Sequence, residues 1–253
     1  EDRYYYWAKY FFFSKQYKKC IEVFNQHLQY HYEHDRGNVE ERAIADYIIV
    51  YKNAFPGFWE NLFEQLKSSK VNEDILELTA LLGDYYSESP QAQKEKILAE
   101  HIRKFPQHIL PKELLADDYY SKKKWEQSIS LLEEVYKSGL LFDLIEVDWR
   151  LAFAYGKCGD LEKEEYYYRL YKNECAGGEN YFNNLGYCLY RQGKYKEAEE
   201  LFLESMDKGY ALSYAVANYL RLLTVMGRNK EAKAFVKQGK YKVSKSDKTR
   251  IAK

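Results

Sequence analysis

An all-α chain of stacked antiparallel helical hairpins, an α-solenoid, is what this sequence predicts, and three observations predict it. Gly159, Gly193 and Gly227 fall 34 residues apart, twice in succession, each between two amphipathic segments: YGKCGDLEKEE, YRQGKYKEAEE and TVMGRNKEAKA. A fixed period of that length marks units that stack on one another. Four prolines are too few for a many-turned β protein, while the abundance of Leu, Glu, Lys, Ala and Gln favours long helices. Third, apolar residues on either side of each periodic glycine follow helical spacing, as in Phe182, Leu185 and Leu189 before Gly193 and Tyr195, Ala198 and Phe202 after it.

Taken in order, residues 1–110 form a divergent helical-repeat region. Trp7, Ala8, Phe11, Tyr17, Cys20 and Phe24 are spaced as in a hairpin that lacks its glycine. Glu40 to Asn53 and Phe58 to Lys70 read as helices separated by Phe55-Pro56-Gly57, because Pro-Gly breaks a continuous helix. Asn72 to Tyr86 and Ala92 to Lys104 form the next pair, with Asn72 as the cap and Ser89-Pro90 as the break. Residues 111–240 hold four clearer units, at about 111–142, 145–178, 179–212 and 213–240. The first of these is displaced by two residues from the strict period, a shift that the Leu140-Leu141-Phe142 connection absorbs. In the third, Gly186 and Ala198 are small at the level where the paired helices come closest. Residues 241–253 are a basic tail or a truncated next repeat.

At this point the residues carry a family resemblance. Leu185-Gly186, Gly193-x-Tyr195, Ala198 and Phe202 resemble a tetratricopeptide repeat. One period upstream stand Leu151, Ala152, Tyr155, Gly159, Leu161 and Tyr168; one period downstream, Tyr219, Leu223, Gly227 and Ala232. Leu115, Ala116, Tyr119, Trp125, Ser128 and Leu132 form the displaced unit, so about half the chain, Pro111 to Gly239, is similar to the family. The resemblance implies a non-catalytic scaffold or sensor, a TPR-like superhelix that grips a protein or peptide segment, as part of a larger regulator. In some members Lys, Asn and Arg clamp a chaperone's terminal carboxylate; here only Asn184 fits, and Trp149, Phe153 and Tyr214 stand where the other clamp residues belong. The alternative is an RNA-reading pentatricopeptide-like array, which the neutral charge disfavours.

In a stacked array the first helices line the concave surface. Helical phase turns Trp149, Arg150, Phe153, Asn180, Asn183, Asn184, Tyr187, Arg191, Tyr214, Asn218 and Arg221 away from their own hairpin partners. Asn can pair with an extended backbone as both donor and acceptor, Arg can hold a carboxylate through two bonds, and Tyr or Trp supplies stiff apolar area. These eleven residues are the expected peptide-binding strip.

Other constellations carry less. The 39 basic and 39 acidic side chains cancel, which removes the global field that draws proteins to nucleic acid or anionic lipid. Cys20, Cys158, Cys175 and Cys188 are scattered, which suits reduced thiols of a cytoplasmic protein, and no apolar run suffices to span a bilayer. The opening on Glu1 suggests a fragment or a processed form. His27, His31 and His34 share a helix face, yet three histidines on one helix do not converge on a tetrahedral ion, so neither metal nor cofactor is expected. Ser121-x-x-Lys124 falls in a turn with no supporting motif, and Glu133-Glu134, Glu164-Glu165 and Glu199-Glu200 read as solvated faces, so an enzyme is disfavoured. The run YYYWAKYFFF exposes aromatic surface that self-association would cover.

Overall fold

A computed structural model describes residues 73–86, 90–139, 146–175, 180–210 and 212–252, with residues 6–8, 10, 11, 14, 16, 18–20, 22, 23, 26, 63, 64 and 67. The helix expected at 40–53, the Phe55–Gly57 break, most of the helix at 58–70, the three-histidine row and the Leu140–Phe142 connection lie outside the described residues. All regular elements among the described residues are α-helices: α1 Glu73–Tyr86, α2 Gln91–Lys104, α3 Leu110–Ser121, α4 Trp125–Ser138, α5 Val147–Cys158, α6 Leu161–Cys175, α7 Tyr181–Arg191, α8 Tyr195–Asp207, α9 Leu212–Val225, α10 Asn229–Gln238 and α11 Lys245–Ala252. They fall into two compact units, Glu1–Val147 and Asp148–Lys253.

In the first unit α1 packs on α2, α2 on α3 and α3 on α4. In the second, each helix from α6 to α11 packs on the next, α7 also touches α9, and α11 also touches α9. The pairs α3/α4, α5/α6, α7/α8 and α9/α10 are hairpins closed by one type of turn. After the first helix one residue turns left-handed, at Lys123 (φ 60°), Gly159 (85°), Gly193 (78°) and Gly227 (73°). The following N–H then reaches back to a carbonyl of the last helical turn: Lys124 to Tyr119 at 2.9 Å, Asp160 to Tyr155 at 3.0 Å, Lys194 to Leu189 at 2.9 Å and Arg228 to Leu223 at 2.8 Å. Such a bond satisfies a carbonyl that the helix end would otherwise leave open. The glycine period is therefore the period of this turn, and Lys123 occupies the same turn with a side chain.

The buried faces follow the apolar spacing. Leu115, Ala116 and Leu132 close the α3/α4 core; Leu151, Ala152, Tyr155 and Tyr168 do so in α5/α6; Leu185, Leu189, Ala198 and Phe202 in α7/α8; Tyr219, Leu223 and Ala232 in α9/α10. A Cβ on Gly186 would lie 2.8 Å from Phe202 Cε1 and 3.3 Å from Leu201 Cβ, so the absent side chain is what lets the Phe202 ring seat against α7. Ser128, buried, donates to the Ala116 carbonyl at 2.9 Å, so its hydroxyl is not left unsatisfied.

Ion pairs tie successive hairpins at a constant spacing. Glu95 accepts from Lys124 at 3.1 Å, Glu165 from Lys194 at 2.6 Å and Glu199 from Arg228 at 2.6 Å, each across 29 residues. In every case a second-helix carboxylate meets the cation that follows the left-handed turn of the next hairpin. Residues 245–252 form α11, begun by a reciprocal cap: the Asp247 N–H donates to Ser244 Oγ at 3.1 Å and Ser244 Oγ–H donates to Asp247 Oδ2 at 2.6 Å. Ile251 and Asp247 are buried, whereas Lys245, Ser246, Lys248 and Thr249 are exposed, so α11 presents a polar outer face at this end of the unit.

Candidate functional site

The expected strip lies on α5, α7 and α9, the first helices of the second unit. Four of its residues are joined in a single hydrogen-bonded chain that crosses from α9 to α7. Arg221 Nη1 donates to Asn218 Oδ1 at 3.1 Å, Asn218 Nδ2 to Asn183 Oδ1 at 3.0 Å, and Asn183 Nδ2 to Asn184 Oδ1 at 3.1 Å. Asn183 and Asn218 sit 35 residues apart, about one repeat, which is why equivalent faces of neighbouring first helices bring them together. Asn183 is buried beneath this chain, while Asn184, Asn218 and Arg221 are half-buried.

Aromatic surface flanks the chain. Tyr214 is 69% exposed and Tyr187 is 37% exposed, the latter stacked on Tyr190 with centroids 6.0 Å apart. Asn180 is exposed at the start of α7, where its carbonyl accepts the Asn184 N–H at 3.0 Å. Trp149 is half-buried against α6, its ring 5.2 Å from Tyr168 and 5.3 Å from Tyr171, so the helix it was expected to turn from is the one it packs on. Phe153 is half-buried with Lys157 Nζ 4.7 Å above its ring, and Arg150 beside it is half-buried as well.

Arg191 works within the fold. Its Nη1 donates to Glu164 Oε2 at 3.1 Å and its Nη2 to the Gly156 carbonyl at 3.3 Å, while its guanidinium lies 5.9 Å from the Tyr187 ring centroid. Glu164 is only 5% exposed, so the reading of Glu164-Glu165 as a solvated face is corrected for its first member. The room comes from Gly156: a Cβ there would lie 2.5 Å from the Glu164 carboxylate. Burial pushes the Glu164 carboxyl above its ordinary value, against the opposing pull of Arg191. The neighbouring Cys188 thiol is pushed up to about 12, first by burial and then by Glu164, so it stays protonated and serves as a packing group. Glu165, by contrast, is held below its usual value despite partial burial, by hydrogen bonds from Lys194 and Arg169.

A second polar cluster, in the first unit, escaped sequence reasoning. His108 Nε2 lies 3.4 Å from Asp74 Oδ2, and His108 Nδ1 lies 2.9 Å from His101 Nε2, with both rings buried. His101, at the end of α2, also lines an open cavity of ≈ 520 Å³ with Glu77, Ala80, Leu81, Asp84, Ile97, Glu100, Arg103 and Lys104. Burial holds both imidazoles below their ordinary value, His101 at about 4, where the nearby His108 adds to the effect. No periodic signal links these three residues, since they meet only where the α1/α2 hairpin and the following loop close on one another. Among the described residues, no group of three His, Cys, Asp or Glu side chains could hold a metal ion, and no helix is long and apolar enough to cross a membrane.

Comparison with known proteins places the strip in context. The sequence profile of the tetratricopeptide repeat family matches residues 180–208, the α7/α8 hairpin with its Gly193 turn. No curated protein matches the chain. Solved structures that resemble it include the MamA RS-1 ArsTM double mutant, at 17% identity and a TM-score of 0.43, and MamA 41-end from Desulfovibrio magneticus RS-1, at 18% and 0.41. Each comparison covers 74% of this chain and 93% of the other. The family match and the hairpins themselves, rather than these two resemblances, carry the assignment. An array of such repeats is in general a scaffold for protein–protein interaction. The chain carries a tetratricopeptide repeat at residues 180–208, set within an all-α series of packed helical hairpins.

Proposed function

We propose that this chain is a non-catalytic interaction scaffold that holds an extended segment of a partner protein along α5, α7 and α9, within the repeats that we assign to residues 145–178, 179–212 and 213–240. The observation that carries the reading is the hydrogen-bonded chain from Arg221 through Asn218 and Asn183 to Asn184, which fixes amide groups of two successive first helices on one face beside exposed Tyr187 and Tyr214. Direct contact between α7 and α9 supports putting the first helices on the inner side of this unit. Fixed amides match the alternating donors and acceptors of an extended backbone, and exposed tyrosines add contact area at low entropic cost.

Capture from native lysate with the parent and with an Asn184/Tyr187/Tyr214 triple-alanine variant tests the reading. Each truncation should weaken a true ligand by ~1 kcal/mol or more, so the variant should lose it while keeping its helix content. Recovery of the same proteins by both chains would place binding elsewhere. Arg191 is left out of this set because its removal would strip Glu164 of its cationic partner and so confuse binding with folding.

A further inference from the structure

The proposed face has a polarity. Arg221 can only donate hydrogen bonds, so Asn218 must offer it Oδ1, which leaves Asn218 Nδ2 for Asn183. Asn183 therefore accepts through Oδ1 and passes its own Nδ2 to Asn184 Oδ1. One donor-only residue thus sets the orientation of three amides. Both open ends of the chain are donors: Asn184 Nδ2, and the guanidinium N–H groups of Arg221 other than the one that binds Asn218, have no partner among the described residues.

Charge on these helices has the same sense. α5, α7 and α9 carry Arg150, Lys157 and Arg221, besides Arg191, which is committed to Glu164, against a single acid, Asp148, which is 4% exposed. Three of the five acids of α8 pair elsewhere: Glu197 with Arg169, Glu199 with Arg228 and Glu204 with Lys208. Acids and bases balance over the whole sequence, so this excess is a matter of placement.

Resting on the scaffold reading above, we infer that the segment held on this face is acidic, with Asp or Glu carboxylates accepting from Asn184 Nδ2 and from the Arg221 guanidinium. Two separate donor ends suit discrete carboxylates better than the continuous phosphates of a nucleic acid, which call for a run of cations.

The sharpest variant is Asn184→Asp. The new carboxylate still accepts from Asn183, so the internal chain survives, but the open amide donor becomes an acceptor. Arg221→Gln removes the charge and lets the amides turn over. A random peptide library is panned on the full chain at low salt, and retained peptides are sequenced and titrated against the parent and both variants. Retention of peptides rich in Asp and Glu, weakened roughly tenfold or more by each substitution with an unchanged melting temperature, is the expected result. Retained peptides without an acidic bias, lost on the Asn184/Tyr187/Tyr214 triple-alanine variant, would overturn the acidic assignment and leave the scaffold face standing. Peptides retained equally by parent and triple variant would overturn both. Tighter binding of labelled single-stranded RNA than of any peptide, weakened by Asn184→Asp, would replace the acidic segment with nucleic acid.

Discussion

The α3/α4 hairpin of the first unit and the α7/α8 hairpin of the second close with the same turn, yet one puts Lys123 and the other Gly193 in the left-handed position. The two units also bury their polar groups differently. The first buries a pair of imidazoles, His101 and His108, beside the half-buried Asp74, together with Lys112, Glu113 and Asp118, whereas the second buries Glu164 beneath a guanidinium. The difference teaches that the repeat prescribes where the chain turns and which faces meet, while each unit finds its own way to satisfy the polar groups caught between hairpins.

The largest effect that would break this comparison is acid sensitivity. His101 is held at about 4 in the folded chain against an ordinary 6.5, so the unfolded chain takes up the proton first as pH falls. The imidazole pair's contribution is complete above pH 6.5 and is lost on the way down to about 4, on the order of 3 kcal/mol if His101 acts alone. Denaturant titrations of the parent should show this loss, and His101→Gln should flatten that limb; curves of equal slope would remove the imidazole pair from the stability of the first unit. Glu164 works in the other direction, because its raised carboxyl makes the folded state easier to keep as pH drops below that raised value toward the ordinary 4.5. Glu164→Gln should remove that component, which a difference titration against the parent would detect.

Next in size is the close approach in α7/α8. Gly186→Ala should destabilise by about 1–3 kcal/mol, because the added Cβ meets the Phe202 ring, and Phe202→Leu in the same chain should recover part of the loss. Additive losses in that cycle would show that the ring is not what Gly186 accommodates. Exchanging the turn residues is worth less. Lys123→Gly should stabilise by about 1 kcal/mol and Gly193→Lys should cost about as much or slightly more, because a side chain in the left-handed region is strained. A stability unchanged by Lys123→Gly would mean that this turn is held by its surroundings.

The smallest effect sharpens what the two units share. Glu165→Gln should cost under about 1 kcal/mol at low salt, since Lys194 is partly exposed, and the cost should fade at high salt. A cost that persists in concentrated salt would point to packing instead of charge.

Much of the framework was legible in the residues. The 34-residue recurrence of Gly159, Gly193 and Gly227 reports the left-handed turns directly, and the fourth left-handed residue, Lys123, lies in the lysine run read as a turn. The small Gly186 signalled the contact with Phe202. What periodicity could not show was how polar groups pair across hairpins. Glu164 reads as one more acid on an amphipathic helix, and only the hollow over Gly156 explains its burial. Arg191 lay in the expected strip by helical phase, but phase gives direction and not distance, and Glu164 was close enough to take it. Ser244-x-x-Asp247 was a readable start signal for α11 that composition obscured, since the basic residues around it suggest a tail.

The pairs Glu95–Lys124, Glu165–Lys194 and Glu199–Arg228 have a consequence for how such a chain can lengthen. The α7/α8 hairpin carries both halves of the joint, Lys194 toward the hairpin before it and Glu199 toward the one after it. Duplication or deletion of this 34-residue unit would therefore reproduce the joint without any compensating substitution, whereas an insertion of any other length there would put the two halves out of step. A gene segment encoding this hairpin is in that sense a self-fitting module, and the spacing of its two ion pairs is enough to favour growth by whole units.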